Sequence, residues 1–511
     1  MSHSISPATR IAKNTMFLYL RSFVIMFITI YTSRVVLKTL GVEDYGIYNL
    51  VGGVVALFSS LKGVFSSAIQ RYLNYARGLG DEERVRRIFS LSILIQVVLA
   101  ILFFALVEIF GLFFIPHKLV IPDDMMAVAM FVFHCSLIAS VVNILSVPYD
   151  AVIIANEKMN YYACISIAEA VLKLLVVFLL PIMPFVTLKA YAVLILAIHI
   201  LVVIANVAYC RQFKECRIQR CWDKDLFIQL ASFSGWSFLG NMIYSVIHEG
   251  TNIILNMFAG VVANAARGIA AQVRTAISTL SGNLYTASKP FVMQQAATAE
   301  KQTLFSYIYM LSRVIFYVIL VTTVPLIVYA DQILDIWLVE IPDHAVAFVR
   351  VILLFELIRS LHSPIVMMFF SFGNIKKFQI TECLVGLLTL PLVYLFLKLQ
   401  LPLYFAFVAM IIVEVLNLTA IITVAQRELD FRWNEYMRNV VARCLLAFVI
   451  VMFIAGIFYF FTHEASRFTA VLWLFLLVLL EVAVIYFIAL QAKEKELLHN
   501  MFVKSRKSSE V

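Results

Sequence analysis

Apolar stretches of roughly twenty residues recur along the whole chain, separated by short polar segments. About 20 apolar residues in a helix cross the hydrocarbon core of a bilayer. The pattern predicts about fourteen such helices, near residues 14–36, 45–65, 88–111, 125–147, 161–183, 187–209, 227–248, 252–285, 303–329, 344–371, 379–398, 401–425, 440–461 and 469–490. Lys and Arg collect in alternate connections. One set holds Arg10 and Lys13, then Arg71, Arg77, Arg84, Arg86 and Arg87, then Arg211, Lys214, Arg217, Arg220 and Lys224. It continues with Lys376, Lys377, Arg427, Arg432 and Arg438, and ends with Lys493, Lys495, Lys504, Arg506 and Lys507. The other set is poor in basic residues, with Lys38, Lys118, Lys189, Lys398 and Arg467, and it carries Asp331, Asp335, Glu340 and Asp343. Cytoplasmic loops carry the excess of Lys and Arg, so both termini are predicted to be cytoplasmic and the number of spans even.

One stretch departs from the pattern. Asn252 to Phe291 is long enough to cross a bilayer, yet it is rich in Ala, Gly, Ser and Thr and carries Arg267 and Arg274 near its middle. An Arg at the centre of a lipid-facing helix costs about 2.5–3.5 kcal/mol on insertion scales. Seven residues apart, the two arginines lie on nearly one helical face. The expectation is a water-accessible chamber lined by positive charge, the kind of cavity that holds an anion.

A repeat organises the chain. Leu40-Gly41-Val42 resembles Ala259-Gly260-Val261, and Gln70-Arg71-Tyr72 matches Lys289-Pro290-Phe291 at the same offset. Pro148 with Asn156-Glu157-Lys158 resembles Pro364 with Asn374-Ile375-Lys376. The expected architecture is an all-α integral membrane protein. Two six-helix halves, residues 1–222 and 223–426, are related by a pseudo-two-fold along the membrane normal, and residues 427–511 add two helices and a basic tail. Parallel repeats of this kind are a transporter architecture with the site between the halves.

Composition agrees with a membrane protein: 63% of residues are hydrophobic and 14% charged, against about 45–50% and about 25% in soluble domains. The net charge of +9 follows from the basic loops and does not point to nucleic acid. Cys210, Cys216 and Cys221 contain no C-x-x-C pair and read as reduced thiols. The run from Phe17 to Val36 is too long for a signal-peptide core and reads as an anchoring first span.

Further charges fall within the predicted spans. Arg21, Arg34 and Lys62 join Arg267 and Arg274, and a cationic cavity for a phosphate or pyrophosphate follows, since guanidinium binds such groups in a bidentate manner. Arg21, Lys62, Arg267 and Arg274 are the candidate substrate contacts; Arg34 suits snorkelling to an interface. Glu169 and Lys173 form an i,i+4 pair in the favourable order. Glu356, Arg359 and His362 sit three apart. These groups, with Glu382, Glu414 and Glu481, are candidates for helix pairing or for ion coupling. His134 and His199 read as packed, satisfied histidines. Pro148 and Pro364 either stop their helices or provide points of flexure. The Arg-rich stretch 66–87 reads as a topology determinant. No nucleotide-binding Gly loop and no zinc-protease motif is present, so the chain is expected to be neither an enzyme nor a cofactor binder.

The opening NTMFLYLRSFVIMFITIYTSRVVLKTLGVEDYGIYNL, with the turn Leu40-Gly41-Val42-Glu43-Asp44-Tyr45-Gly46-Ile47-Tyr48, resembles the start of bacterial polysaccharide exporters. The family is the O-antigen and exopolysaccharide flippase group of the multidrug/oligosaccharidyl-lipid/polysaccharide exporter superfamily. The resemblance implies alternating access in the bacterial inner membrane. It implies a polyprenyl-pyrophosphate-linked oligosaccharide as substrate, with its headgroup on cationic residues and its tail among membrane lipids. H+ or Na+ and peripheral glycan-assembly proteins are the further partners it suggests. The alternative is a cation-coupled multidrug-type efflux pump, which wants an anionic chamber. A membrane-bound sugar polymerase or ligase wants a large outward loop, and the outward loops here are short.

Overall fold

The computed structural model describes residues 7–56, 69, 72–73, 76, 81–156, 158–182, 187–216, 219, 223–298, 301–372, 375–462 and 467–489. Lys62, Gln70, Arg71, Arg77, Glu157, Arg217, Arg220, Cys221, Asn374 and the basic tail from Lys493 lie outside these residues. Among the described residues the only regular structure is helical. Among the described residues nine helices are long and apolar enough to cross a membrane, and Leu472–Phe487 is a shorter apolar helix. Large apolar side chains such as Phe113 (71% exposed), Phe453 (67%) and Phe460 (71%) point outward. A surface of this kind is stable against lipid and not against water. The chain is a multi-pass membrane protein.

Residues 1–268 with 338–343 form one compact unit, and residues 269–337 with 344–511 form another. In the first unit Met126–Ala155 packs against Thr187–Cys210, Glu82–Lys118 and Val42–Ala56, and Pro7–Leu40 packs against Met159–Leu179. The Glu82–Lys118 helix starts where the Asp81 carboxylate accepts a hydrogen bond from the Arg84 N–H at 2.9 Å. Glu82 and Glu83 in its first turn complement the positive end of the helix dipole. In the second unit Ala345–Phe372 packs against Lys301–Val328 and Phe405–Leu429. Asp430, in the left-handed conformation (φ 62°), ends the latter helix. Trp433–Tyr436 leads through a π-helical turn, Met437–Val441, into Ala442–Thr462.

Several boundaries differ from the sequence expectation. The junction expected near His248 is continuous helix. The break lies twelve residues on, at Gly260 (φ 69°, ψ −166°), inside the run Lys224–Thr298. That backbone conformation is essentially restricted to glycine. Gly41, its counterpart in the repeat, separates Pro7–Leu40 from Val42–Ala56 at φ 83°. These two are the positive-φ glycines among the described residues. The span expected at 379–398 is two helices, Ile375–Leu387 and Thr389–Lys398. The acidic connection carries a short helix, Ala330–Trp337. Neither Pro148 nor Pro364 stops its helix: both lie inside, with the helices running on to Ala155 and Phe372.

Candidate functional site

In the first unit the chain turns back on itself at Gly260. Nineteen residues separate His248 from Arg267, about 28 Å along a straight helix. Yet the Arg267 guanidinium donates to the His248 carbonyl and meets His248 Nδ1 at 2.6 Å. The Glu249 carboxylate lies 3.8 Å from it. Three asparagines close the turn. Asn264 donates to the Asn252 carbonyl (2.9 Å) and to its side-chain oxygen (2.7 Å), and Asn256 donates to Asn264 Oδ1 (3.0 Å). Asn256 also accepts from the Val120 N–H at 2.8 Å and donates to the Val120 carbonyl at 3.1 Å. One side chain thereby satisfies both backbone groups of an irregular segment, as buried amides require.

Arg21 projects from the first helix over the Tyr162 ring, its guanidinium carbon 4.5 Å from the ring centroid. That is a cation–π contact. The Arg21 Nε is buried without a hydrogen-bond partner. Glu169 and Lys173 pair as the sequence predicts, at 2.7 Å. His199 lies 3.8 Å from the same carboxylate and 3.4 Å from Asn143. His134 bonds Glu108 at 3.0 Å. Each of these two histidines therefore meets a carboxylate, beyond the simple packing expected of it.

The second unit holds a larger polar node. Arg274 Nε donates to Glu356 at 2.6 Å, with its guanidinium 5.2 Å from the Phe355 ring centroid. Arg359 reaches Glu414 at 3.4 Å. His362 Nδ1 bonds the other Glu414 oxygen at 2.7 Å, and His362 Nε2 faces Glu382 at 3.6 Å. Glu356, Glu414 and His362 are buried. The three residues spaced three apart on Ala345–Phe372 thus reach other helices. Arg313 is buried on Lys301–Val328 and donates to the Asn439 carbonyl at 2.9 Å, within the π-helical turn. Glu481 is buried in the last described helix with neither oxygen hydrogen-bonded.

Arg267 and Arg274 are thus both buried, as their positions suggest, but neither stands as unopposed positive charge. Each meets a carboxylate, and they belong to different units. Sequence reasoning passed over Glu249, Asn256, Asn264, Glu108 and Arg313. The spacing of Asn252 and Asn256, four apart and so on one helical face, was the available signal for the asparagine cluster.

No protein-family model matches the sequence, and no curated protein matches it by sequence. Solved structures do. The lipid II flippase MurJ, in an inward closed conformation, aligns with a TM-score of 0.70 at 12% identity, covering 92% of this chain and 98% of that one. An inward-facing multidrug resistance transporter of the MATE family, from the MOP superfamily, aligns with a TM-score of 0.67 at 13% identity, covering 81% and 98%. A MOP superfamily transporter from Pyrococcus furiosus aligns with a TM-score of 0.61 at 14% identity, covering 83% and 96%. At such identities the likeness is one of fold and not of activity. The chain has the two-half helical fold of the MOP superfamily transporters.

Proposed function

We propose that the chain is an alternating-access exporter. It would move a polyprenyl-pyrophosphate-linked oligosaccharide, an O-antigen or exopolysaccharide repeat unit, from the cytoplasmic to the outer leaflet of a bacterial inner membrane. Both termini are cytoplasmic in this reading. The observation that carries it is Arg21: a guanidinium within a membrane helix, resting on Tyr162, with an unused N–H and no carboxylate partner among the described residues. A guanidinium in that setting favours an anionic, phosphate-like group from outside the protein. Within residues 1–268 the proposed headgroup contacts are Arg21, Lys62 and Arg267. The fold is shared with a lipid II flippase, which supports a lipid-linked substrate.

A second reading, cation-coupled efflux, is favoured by the cluster of Glu356, Glu382 and Glu414 and by the likeness to MATE transporters. Mass spectrometry of lipid extracts from cells with and without the protein separates the two. Accumulation of a polyprenyl-linked oligosaccharide on its loss, with less surface glycan, supports the flippase. An unchanged lipid-linked pool with retention of a cationic dye supports efflux.

A further inference from the structure

We propose that Arg438 and Arg443, aligned by the π-helical turn Met437–Val441, bind the headgroup of an anionic phospholipid on the outside of the second unit. The claim rests on geometry and charge at this turn and not on the transport reading.

The turn decides how the two guanidiniums are arranged. In an α-helix five residues cover about 500°, so Arg438 and Arg443 would diverge by about 140°. Here the Ala442 N–H donates to the Met437 carbonyl, five residues back. A π-helical turn takes in one extra residue, so residues five apart come to lie on one side of the helix, a turn from each other. Met437, Arg438, Ala442 and Arg443 are exposed, whereas Val440 and Cys444 are buried. The turn is held from inside. The buried Arg313 donates to the Asn439 carbonyl at 2.9 Å, and a side chain inserted into the helical ladder is a known cause of such a distortion.

Depth and charge then select the occupant. The span Trp433–Thr462 has 30 residues, about 45 Å of helix against about 30 Å of hydrocarbon. From Cys444 to Phe461 it carries no charge. Arg443 therefore stands at the edge of the apolar run, and Arg438 lies a turn further out, at headgroup level. Trp433 suits the same interface. Past Arg443 the exposed Leu445, Leu446, Val449 and Phe453 offer a surface for acyl chains. A phosphate on the arginines with chains on that face is a phospholipid and not a free anion. At this end of the unit Glu428, Asp430 and Glu435 are taken by Lys377, Lys301 and Arg432. Among the described residues Lys376, Arg427, Arg438 and Arg443 remain, exposed and in no ion pair. That surplus repels the amine of a zwitterionic headgroup and favours one with net negative charge.

The test is native mass spectrometry of the full chain released from detergent, titrated with phosphatidylglycerol or with phosphatidylcholine. Wild type is expected to hold phosphatidylglycerol at about tenfold lower lipid concentration than phosphatidylcholine. Arg438→Gln with Arg443→Gln should abolish that preference; both side chains are exposed, so this variant keeps the fold. Lys376→Gln with Arg427→Gln removes the same charge away from the turn and should keep the preference. Equal binding of the two lipids by wild type overturns the proposal, as does a preference unchanged in Arg438→Gln with Arg443→Gln. A preference that both double variants lose to the same extent also overturns it, leaving only the diffuse attraction of a basic surface. Displacement of phosphatidylglycerol by an equal concentration of soluble pyrophosphate would make this a free-anion site, and displacement by polyprenyl pyrophosphate a substrate-entry site; either result overturns the assignment to a phospholipid. Failure of the proposal leaves the export reading standing.

Discussion

Arg274 illustrates what a buried charge demands. With 6% of its surface exposed, the guanidinium is stable because Glu356 accepts from it at 2.6 Å. Removing one partner of a buried pair leaves the other uncompensated and costs about 3–5 kcal/mol. Arg274→Ala is therefore expected to lower stability by about that amount. Arg274→Ala with Glu356→Ala together should lose less than the single change, because no lone charge remains. Thermal unfolding of the three purified variants checks this. A double variant as unstable as the sum of the two singles would rule out the pairing. Arg21 belongs to the other class, since no carboxylate among the described residues opposes it. Arg21→Ala should cost little stability but lower export by about tenfold or more, the worth of one charge-assisted hydrogen bond. Surface glycan measured beside the protein's level in the membrane distinguishes the two effects. The sequence made both arginines visible, because any charge inside an apolar run stands out. It could not say that one meets a carboxylate while the other, among the described residues, rests on a tyrosine ring. Glu356 lies 82 residues from Arg274, and only helix packing brings them together.

Among the elements, the turn at Gly260 does most to organise the first unit. A side chain at this φ and ψ is strained by about 1–3 kcal/mol, so Gly260→Ala is expected to lose stability in that range. Close packing adds a second demand. A Cβ on Gly46 of the Val42–Ala56 helix would sit 2.1 Å from the Val261 carbonyl oxygen, which is backbone and cannot rotate away. Gly46→Ala should therefore cost about 1–3 kcal/mol as overpacking. Both values are measurable by denaturant unfolding in detergent, and a neutral Gly46→Ala would show that the two segments do not meet. Asn256→Leu strands the Val120 N–H and carbonyl, about 1–3 kcal/mol for each buried group left unpaired. The resulting loosening should appear as faster hydrogen exchange at Val120. The repeat Leu40-Gly41-Val42 and Ala259-Gly260-Val261 gave a clue to this turn that the span boundaries did not use. Those boundaries followed apolar density, and the polar residues His248 and Glu249 looked like a loop. They are instead helical residues whose polarity serves Arg267.

On the scale of the whole molecule, loss of the protein is expected to raise a lipid-linked oligosaccharide pool and lower surface glycan. Lipid extracts analysed by mass spectrometry check this, and an unchanged pool would remove the flippase reading. The sequence by itself determined that this is a helical, multi-pass membrane protein and where most of its described helices run. Each of those properties is local: apolar runs of sufficient length must become helices in lipid, because every backbone group needs an internal partner there. The two-half fold was also legible, through short sequence matches that recur at one offset. Only the tertiary structure decided the rest. It moved the break from His248 to Gly260, since a glycine-specific backbone conformation leaves no mark in hydropathy. It gave Arg267 and Arg274 carboxylate partners, and it drew His362, Glu382 and Glu414 from three helices into one node. Ion pairs between helices depend on which faces meet, and that is settled by packing over distances that no sequence window spans.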